Sequence, residues 1–299
     1  MKEKKILLTG ASGFLGRYVF EYLSEKNFFV ETLGRQNSSL IIPDISNPIP
    51  DISEKYDLVV HCAGKAHVLP KTEKEAKQFF DINHTGTMNL CKALCKNVPN
   101  TFVFISTIAV YGRDECEELT EEAELQGKTP YAKSKILAEE FLQVWCTEHK
   151  INLMILRLPL VAGMNANGNL GAMVKGIKKG YYFNITGNEA QKSIVLASDI
   201  AQLIPKLFEK NGIYNLSGDE NYSFEEISRI ISNQMNGKRI IALPYFLVRV
   251  FAYIGDYMKF IPIDSLKLKK ITSSLTVSAE KASEHLDWSP SSLKQNFKI

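Results

Sequence analysis

KILLTGASGFLG, residues 5–16, joins an apolar run to three glycines and the start of an amphipathic segment. Ile6, Leu7 and Leu8 are consecutive apolar residues, as in a strand buried on both faces of a parallel sheet. Gly10, Gly13 and Gly16 follow at intervals of three, and residues 14–26 then read as a helix with Leu15, Val19, Tyr22 and Leu23 on one face. Strand, glycine turn and helix in this order make a site for a pyrophosphate. The glycines let the backbone approach the anion, the first-turn amides of Phe14, Leu15 and Gly16 point at it, and the helix dipole favours its charge. The spacing is GxxGxxG rather than GxGxxG, so the glycines alone are weak evidence; their place between strand and helix carries the dinucleotide reading.

Outward from this stretch the chain alternates. Apolar strands are expected at 28–33, 39–42, 56–62, 101–106 and 151–156, and helices at 73–96 and 131–149. This pattern implies right-handed crossovers and a doubly wound parallel sheet, an α/β Rossmann-type fold. Residues 113–130 read as an acidic, polar loop. After Pro159 the texture changes. The stretch 161–187 is glycine-rich, with a helix at 172–179, strand-like pieces at 193–196 and 213–216, and helices at 223–235 and from Pro244 onward. The expectation is a dinucleotide-binding domain over 1–160 and a smaller, mixed, mainly substrate-binding domain over 161–299, with the chain free to cross back.

Bulk properties exclude several classes. A formal charge of +3 over 299 residues gives no electrostatic footprint for nucleic acid. The opening MKEKK runs straight into the first strand without a signal-peptide core. The most apolar segment, 243–262, is interrupted by Arg249, Asp256 and Lys259, so no span is expected. It reads as an amphipathic helix packed on its own domain, with a peripheral membrane contact as the alternative. The five cysteines, Cys62, Cys91, Cys95, Cys116 and Cys146, are odd in number and irregular in spacing. They are expected as reduced thiols of a cytoplasmic protein, with no metal site.

Two further patterns concern chemistry. Strand 28–33 ends in Gly34-Arg35, without the acidic residue that binds a ribose 2′-hydroxyl in NAD-preferring sites. Arg35 suits a 2′-phosphate instead, which leans toward NADPH without excluding NAD. Tyr131 and Lys135, four apart, share one face of a helix. A lysine beside a phenol favours the phenolate and lowers its pKa. Ser106 and Thr107 end the preceding strand, where a hydroxyl can meet a substrate oxygen. A YxxxK pair alone is a common accident; its weight comes from the order of glycine loop, hydroxyl, then YxxxK.

These residues together resemble the extended short-chain dehydrogenase/reductases of the NAD-dependent epimerase/dehydratase family, UDP-glucose 4-epimerase-like enzymes that modify nucleotide sugars. The resemblance rests on TGASGFLG at 9–16, Asp44-Ile45, HCAG at 61–64, Asn83 in NHTGTMNL, STIAVYG at 106–112, YAKSK at 131–135, RLPLVAG at 157–163 and LDWSP at 286–290. It implies that Gly10, Gly13 and Gly16 hold the pyrophosphate of an NAD(P) cofactor. Asp44 and Ile45 would then meet the adenine, and Ala63 and Gly64 would line the site. It further implies that Lys135 bonds the nicotinamide ribose, that Tyr131 is the acid/base and that Thr107 is the catalytic hydroxyl, with Ser106 beside it. Asn83 would fix the helix that shapes the site, and Asn169 and Lys192 would meet the nucleotide sugar. Ile108-Ala109 stands where 4,6-dehydratases of this family carry Asp-Glu, and Ala109 where some epimerase/reductases carry cysteine. Lys192 replaces an arginine and Leu160 an asparagine. The resemblance therefore implies a nucleotide-sugar oxidoreductase at C4 of a UDP-hexose or UDP-N-acetylhexosamine, a 4-epimerase or a 4-ketoreductase in surface-polysaccharide biosynthesis. A non-catalytic nucleotide sensor or assembly protein on the same fold is the alternative. Helices 73–96 and 132–149 would pair in a homodimer.

Overall fold

The computed structural model describes residues 4–66, 68–258 and 263–299; residues 1–3 of the MKEKK opening and 259–262 of the apolar segment lie outside them. The chain begins with β1 (Lys5–Thr9), α1 (Phe14–Glu25), β2 (Phe29–Gly34), β3 (Leu40–Ile41) and β4 (Leu58–His61). There follow α2 (Glu73–Phe80), a π-helical turn (Asp81–Thr85) and α3 (Gly86–Leu94), which form one continuous rod over the predicted 73–96 helix. Next come β5 (Thr101–Thr107), a 3₁₀ turn (Ile108–Tyr111), β6 (Cys116–Leu119), α4 (Pro130–Glu148), β7 (Asn152–Leu158) and β8 (Leu160–Ala162).

The later part holds α5 (Gly168–Lys179), β9 (Phe183–Ile185), β10 (Gln191–Leu196), α6 (Ala197–Leu203), β11 (Gly212–Asn215) and β12 (Asn221–Ser223). It closes with α7 (Phe224–Gln234), β13 (Ile241–Leu243), α8 (Tyr245–Tyr257), α9 (Ser265–Thr272), β14 (Leu275–Val277), α10 (Glu280–Leu286) and α11 (Leu293–Asn296).

Seven strands form one parallel sheet in the order β11-β7-β5-β4-β1-β2-β3. The two-residue period of a strand sends alternate side chains to opposite faces. Ile6 and Leu8 accordingly pack with Val19 and Leu23 of α1 and Ile200 and Leu203 of α6. Leu7 packs on the other face, in the layer that holds Leu90 and Leu94 of α3 and Ala138 and Leu142 of α4. The sheet is thus covered on both sides, a doubly wound α/β fold. The chain leaves β1 toward β2 and β3, then returns to β4 on the opposite flank. Strand order reverses there, and ligands of such sheets bind at the carboxyl ends of the strands beside that reversal.

A second sheet runs β12-β10-β14-β6, with β8 paired to β10, and β9 pairs with β13. Two strands cross between the halves of the sequence. β11 returns to the edge of the large sheet, in register with β7 from Gly212 opposite Met154. β6 lies inside the stretch read as an acidic loop and pairs with β14. Its sequence CEEL buries only Leu119, so no alternation marked it as a strand. The chain's end is anchored by Trp288, whose indole N–H donates to the Ser217 carbonyl at 2.9 Å.

α8 departs from its expected packing. Only Val248 and Ala252 of this helix are buried. Phe246, Val250, Phe251, Tyr253 and Tyr257 are exposed.

Candidate active site

At the end of β1 the backbone turns at Gly10 with φ +72°, and a Cβ there would lie 2.6 Å from the Ala63 amide nitrogen after β4. A Cβ on Gly16 would lie 2.0 Å from the Gly10 carbonyl oxygen. Only glycine allows this contact of turn, helix and neighbouring loop. The N-terminus of α1 has no side-chain cap and no acidic residue in its first turn. The amides of Phe14, Leu15 and Gly16 thus meet no competing side-chain anion, and the helix end suits a pyrophosphate.

The adjoining loop is held from below. Thr9 Oγ1 accepts from the Ala63 amide at 3.1 Å and faces His61 Nδ1 at 2.6 Å. Thr87 Oγ1 donates to the Asn83 carbonyl at 2.6 Å and lies 3.0 Å from His61 Nε2. With the Thr87 proton committed, His61 donates from Nε2 and accepts at Nδ1, the neutral tautomer. Burial, with Lys135 nearby, pushes its pKa down to about 3, so His61 is a structural strut rather than a proton carrier. Asn83, in the π-helical turn, accepts from the Lys65 amide at 2.7 Å and donates to the Lys65 carbonyl at 3.0 Å and to Ser134 Oγ at 2.9 Å. It ties the Gly64 loop to α4, so its side chain supports the site from behind.

α4 starts cleanly because Thr129 caps it, accepting from the Ala132 amide at 3.1 Å, and Pro130 occupies its first turn. Its successive turns carry Tyr131, Lys135 and Glu139. Lys135 is buried; its Nζ donates to the Ile105 carbonyl at 2.8 Å and lies 4.3 Å from the centre of the Phe104 ring. A Cβ on Gly64 would lie 3.5 Å from this Nζ, so the ammonium faces the glycine loop. Burial pulls the Lys135 pKa down to about 8, against the pull of Glu139. Thr107 Oγ1 accepts from the Ala109 amide at 3.2 Å, and its hydroxyl favours the Tyr131 phenolate. Burial pushes that phenol up to about 12, and Thr107 acts in the opposite sense. The expected lowering by Lys135 is not what dominates in the free chain: the lysine's proton is directed at Ile105, and desolvation of the phenolate outweighs the rest.

The structure thus brings together Gly10, Ala63, Gly64, Asn83, Thr107, Tyr131 and Lys135. Ser106 does not join them. Its hydroxyl donates to Glu139 Oε1 inside the protein, on the opposite face of β5 from Thr107. Glu139 is there paired with Arg157, whose Nη2 lies 2.7 Å from Oε2; the side chains are 0% and 3% exposed. Arg157 Nη1 also donates to Tyr111 Oη at 3.1 Å, and Tyr111 donates to Asn215 Oδ1 at 2.7 Å. This buried network was not anticipated, although Lys135 and Glu139 share the four-residue spacing of Tyr131 and Lys135.

Arg35 is exposed beyond β2, close enough to Asp44 to help depress its pKa. The larger causes are Ser46 Oγ at 2.6 Å and the Ser46 amide at 2.8 Å, which both donate to the Asp44 carboxylate. Ile45 packs on Gly86. Asn169 is exposed in the first turn of α5. Lys192 is buried in β10; its Nζ donates to the Ser273 carbonyl at 2.6 Å, and burial pulls its pKa down to about 8.

Comparison with known proteins agrees with this fold. The chain is 25% identical to a UDP-glucose 4-epimerase of Vibrio cholerae, over 99% of this chain and 94% of that protein. It is 26% identical to an N-acetyl-α-D-glucosaminyl-diphospho-ditrans,octacis-undecaprenol 4-epimerase of Escherichia coli O157:H7, over 98% and 92%. A crystal structure of the Thermotoga maritima UDP-glucose 4-epimerase with UDP-glucose shares the fold, with a TM-score of 0.75, 19% identity and coverage of 97% and 95%. Residues 6–217 match the NAD dependent epimerase/dehydratase family, and the chain belongs to that family of enzymes.

Proposed function

We propose that this enzyme acts at C4 of a UDP-linked hexose or N-acetylhexosamine, as a 4-epimerase or a 4-ketoreductase with NAD(P). The observation that carries the reading is the grouping of Tyr131 with Thr107 and, one turn on in α4, Lys135, whose ammonium faces Gly64 in the loop that packs on Gly10. The uncapped first turn of α1 and the close-packed glycines fit a dinucleotide pyrophosphate, and Lys135 Nζ, with one proton on Ile105, has two left for a ribose. A nicotinamide held there supplies the hydride acceptor and donor for the sugar carbon. Tyr131 Oη takes the proton from the C4 hydroxyl or gives one to a C4 ketone, while Thr107 holds the same oxygen. At neutral pH the Tyr131 phenol is protonated in the free chain, the form needed to protonate a ketone. Elimination of water needs an acid and a base beyond Thr107, and Ile108 and Ala109 supply neither.

Asn169 and Lys192 are proposed contacts of the nucleotide sugar, and Arg35 of a 2′-phosphate. A cytoplasmic role in surface-polysaccharide synthesis and a homodimer through α2–α3 and α4, whose outer faces expose Met88, Leu137 and Val144, complete the proposal. Denaturing the purified protein and identifying released nucleotide tests it. Stoichiometric NAD supports a self-contained 4-epimerase. An empty protein that binds NADPH more tightly than NADH supports a 4-ketoreductase. Failure to bind either nicotinamide refutes both.

A further inference from the structure

α8 is anchored by Val248 and Ala252, which lie one turn apart on its packed side. At about 100° per residue, Phe246, Val250, Tyr253 and Tyr257 fall on the side directly opposite. These four are 64%, 55%, 62% and 76% exposed, so a row of large apolar and aromatic side chains points straight into solvent. Soluble helices present the reverse arrangement, with the polar face outward. Contiguous apolar surface of this kind marks an interaction site.

Charge identifies the partner. Residues 236–272, which contain α8 and α9, hold seven lysines and arginines against two aspartates, whereas the whole chain has an excess of only three. The rest of the chain is therefore slightly acidic. Both aspartates are engaged in capping. Asp256 accepts from the Ser265 amide at 2.9 Å and from Ser265 Oγ at 2.6 Å, and Asp264 accepts from the Lys267 amide at 2.8 Å. Arg249 is exposed at the flank of the aromatic row and Lys269 on α9; Lys270, also exposed on α9, pairs with Asp114 at 3.5 Å. A second copy of the chain placed on this face would bring like charges together. An anionic lipid surface meets both features: tyrosine and phenylalanine enter the headgroup boundary, and arginine and lysine stay at the phosphates.

We infer that the exposed face of α8, with the basic residues that flank it, seats the protein on an anionic lipid bilayer. The helix lies in the plane of the surface; no helix among the described residues is long and apolar enough to cross it.

Co-sedimentation of the full chain with vesicles tests this, using phosphatidylcholine alone and an equal mixture of phosphatidylcholine and phosphatidylglycerol. The bound fraction should rise at least about tenfold with the anionic lipid and fall as salt is raised. The variant Phe246→Asp/Phe251→Asp should lose binding to both vesicles. The variant Arg249→Glu/Lys269→Glu should lose only the anionic preference. Both variants should keep the parent's circular dichroism and its nicotinamide binding, since these side chains face solvent, away from the glycine loop. The inference is overturned if the parent does not pellet with anionic vesicles, or if the aspartate variant pellets as the parent does. It is also overturned if light scattering without lipid shows that the aspartate variant splits a dimer, because a second copy then covers the face. None of these readouts depends on turnover, so they fail independently of the proposed chemistry.

Discussion

Glu139→Gln removes one charge from a buried pair and leaves the other. Arg157 donates to Glu139 through Nε at 3.2 and 3.3 Å and through Nη2 at 2.7 Å, and both side chains are sealed from water. Glutamine keeps the shape and can still accept from Ser106, but its NH2 then faces the Arg157 donors, so the charge and the hydrogen bonds to Oε2 are lost together. A guanidinium stranded in the interior costs about 3–5 kcal/mol, far above the cost of breaking an exposed pair. For a chain of this size that is a fall in Tm of roughly 5–8 °C. Urea unfolding followed by tryptophan fluorescence reads it directly. Trp145, packed in the layer of α4, and Trp288, packed in the opposite layer, are each 6% exposed and report the two faces of the sheet. Removing both charges with Glu139→Gln/Arg157→Met should recover most of the loss, because no uncompensated ion remains. A cost below about 1 kcal/mol for Glu139→Gln, or a double variant no more stable than the single, refutes the reasoning.

Three further outcomes follow from the geometry. Gly16→Ala forces a Cβ against the Gly10 carbonyl at 2.0 Å, backbone against backbone. It should weaken nicotinamide binding at least about tenfold by calorimetry and lower Tm, whereas Gly180→Ala, with nothing near its Cβ, should pay only the strain of φ +80° and leave binding unchanged. The rate should fall as pH rises through about 8, because Lys135 then loses its charge. Stability should move the other way between pH 8 and 9. Folded Lys135 and Lys192 release protons near 8 and the unfolded lysines near 10.5, so the unfolded chain holds more protons there and folding is favoured as pH rises; parallel pH–rate and pH–Tm curves separate the two. Arg35→Gln should weaken NADPH binding about tenfold and leave NADH binding unchanged in a fluorescence titration.

The sequence reveals residues that serve one another locally. The glycine triplet, the run of Ile6 to Leu8 and the spacing of Tyr131 and Lys135 sit within single elements, and their periodicity announces strand, turn and helix. Asn83 and His61 stand in the right motifs, yet their work is visible only in three dimensions: one ties a loop to α4, and the other fills a fixed hydrogen-bond chain between Thr9 and Thr87. Ser106 and Thr107 are adjacent in sequence and opposite in space, because a strand turns neighbours to opposite faces. The pairing of Glu139 with Arg157, 18 residues away, depends on how α4 lies over β5 and β7, which no local pattern encodes. β6 hid in polar sequence because its register is imposed by β14, far along the chain. α8 carried a helical pattern, but its packed side proved far narrower than its apolar content suggested.

The most direct test of the central claim is to incubate the protein with UDP-glucose, UDP-galactose, their N-acetylhexosamine counterparts and UDP-4-keto sugars, with NAD(H) and NADP(H), and to read the configuration at C4 by proton NMR. The account predicts inversion at C4, or reduction of a C4 ketone, for at least one of these sugars, abolished by Tyr131→Phe while nicotinamide binding persists. No change at C4 in any of them, or turnover that survives Tyr131→Phe, would contradict it.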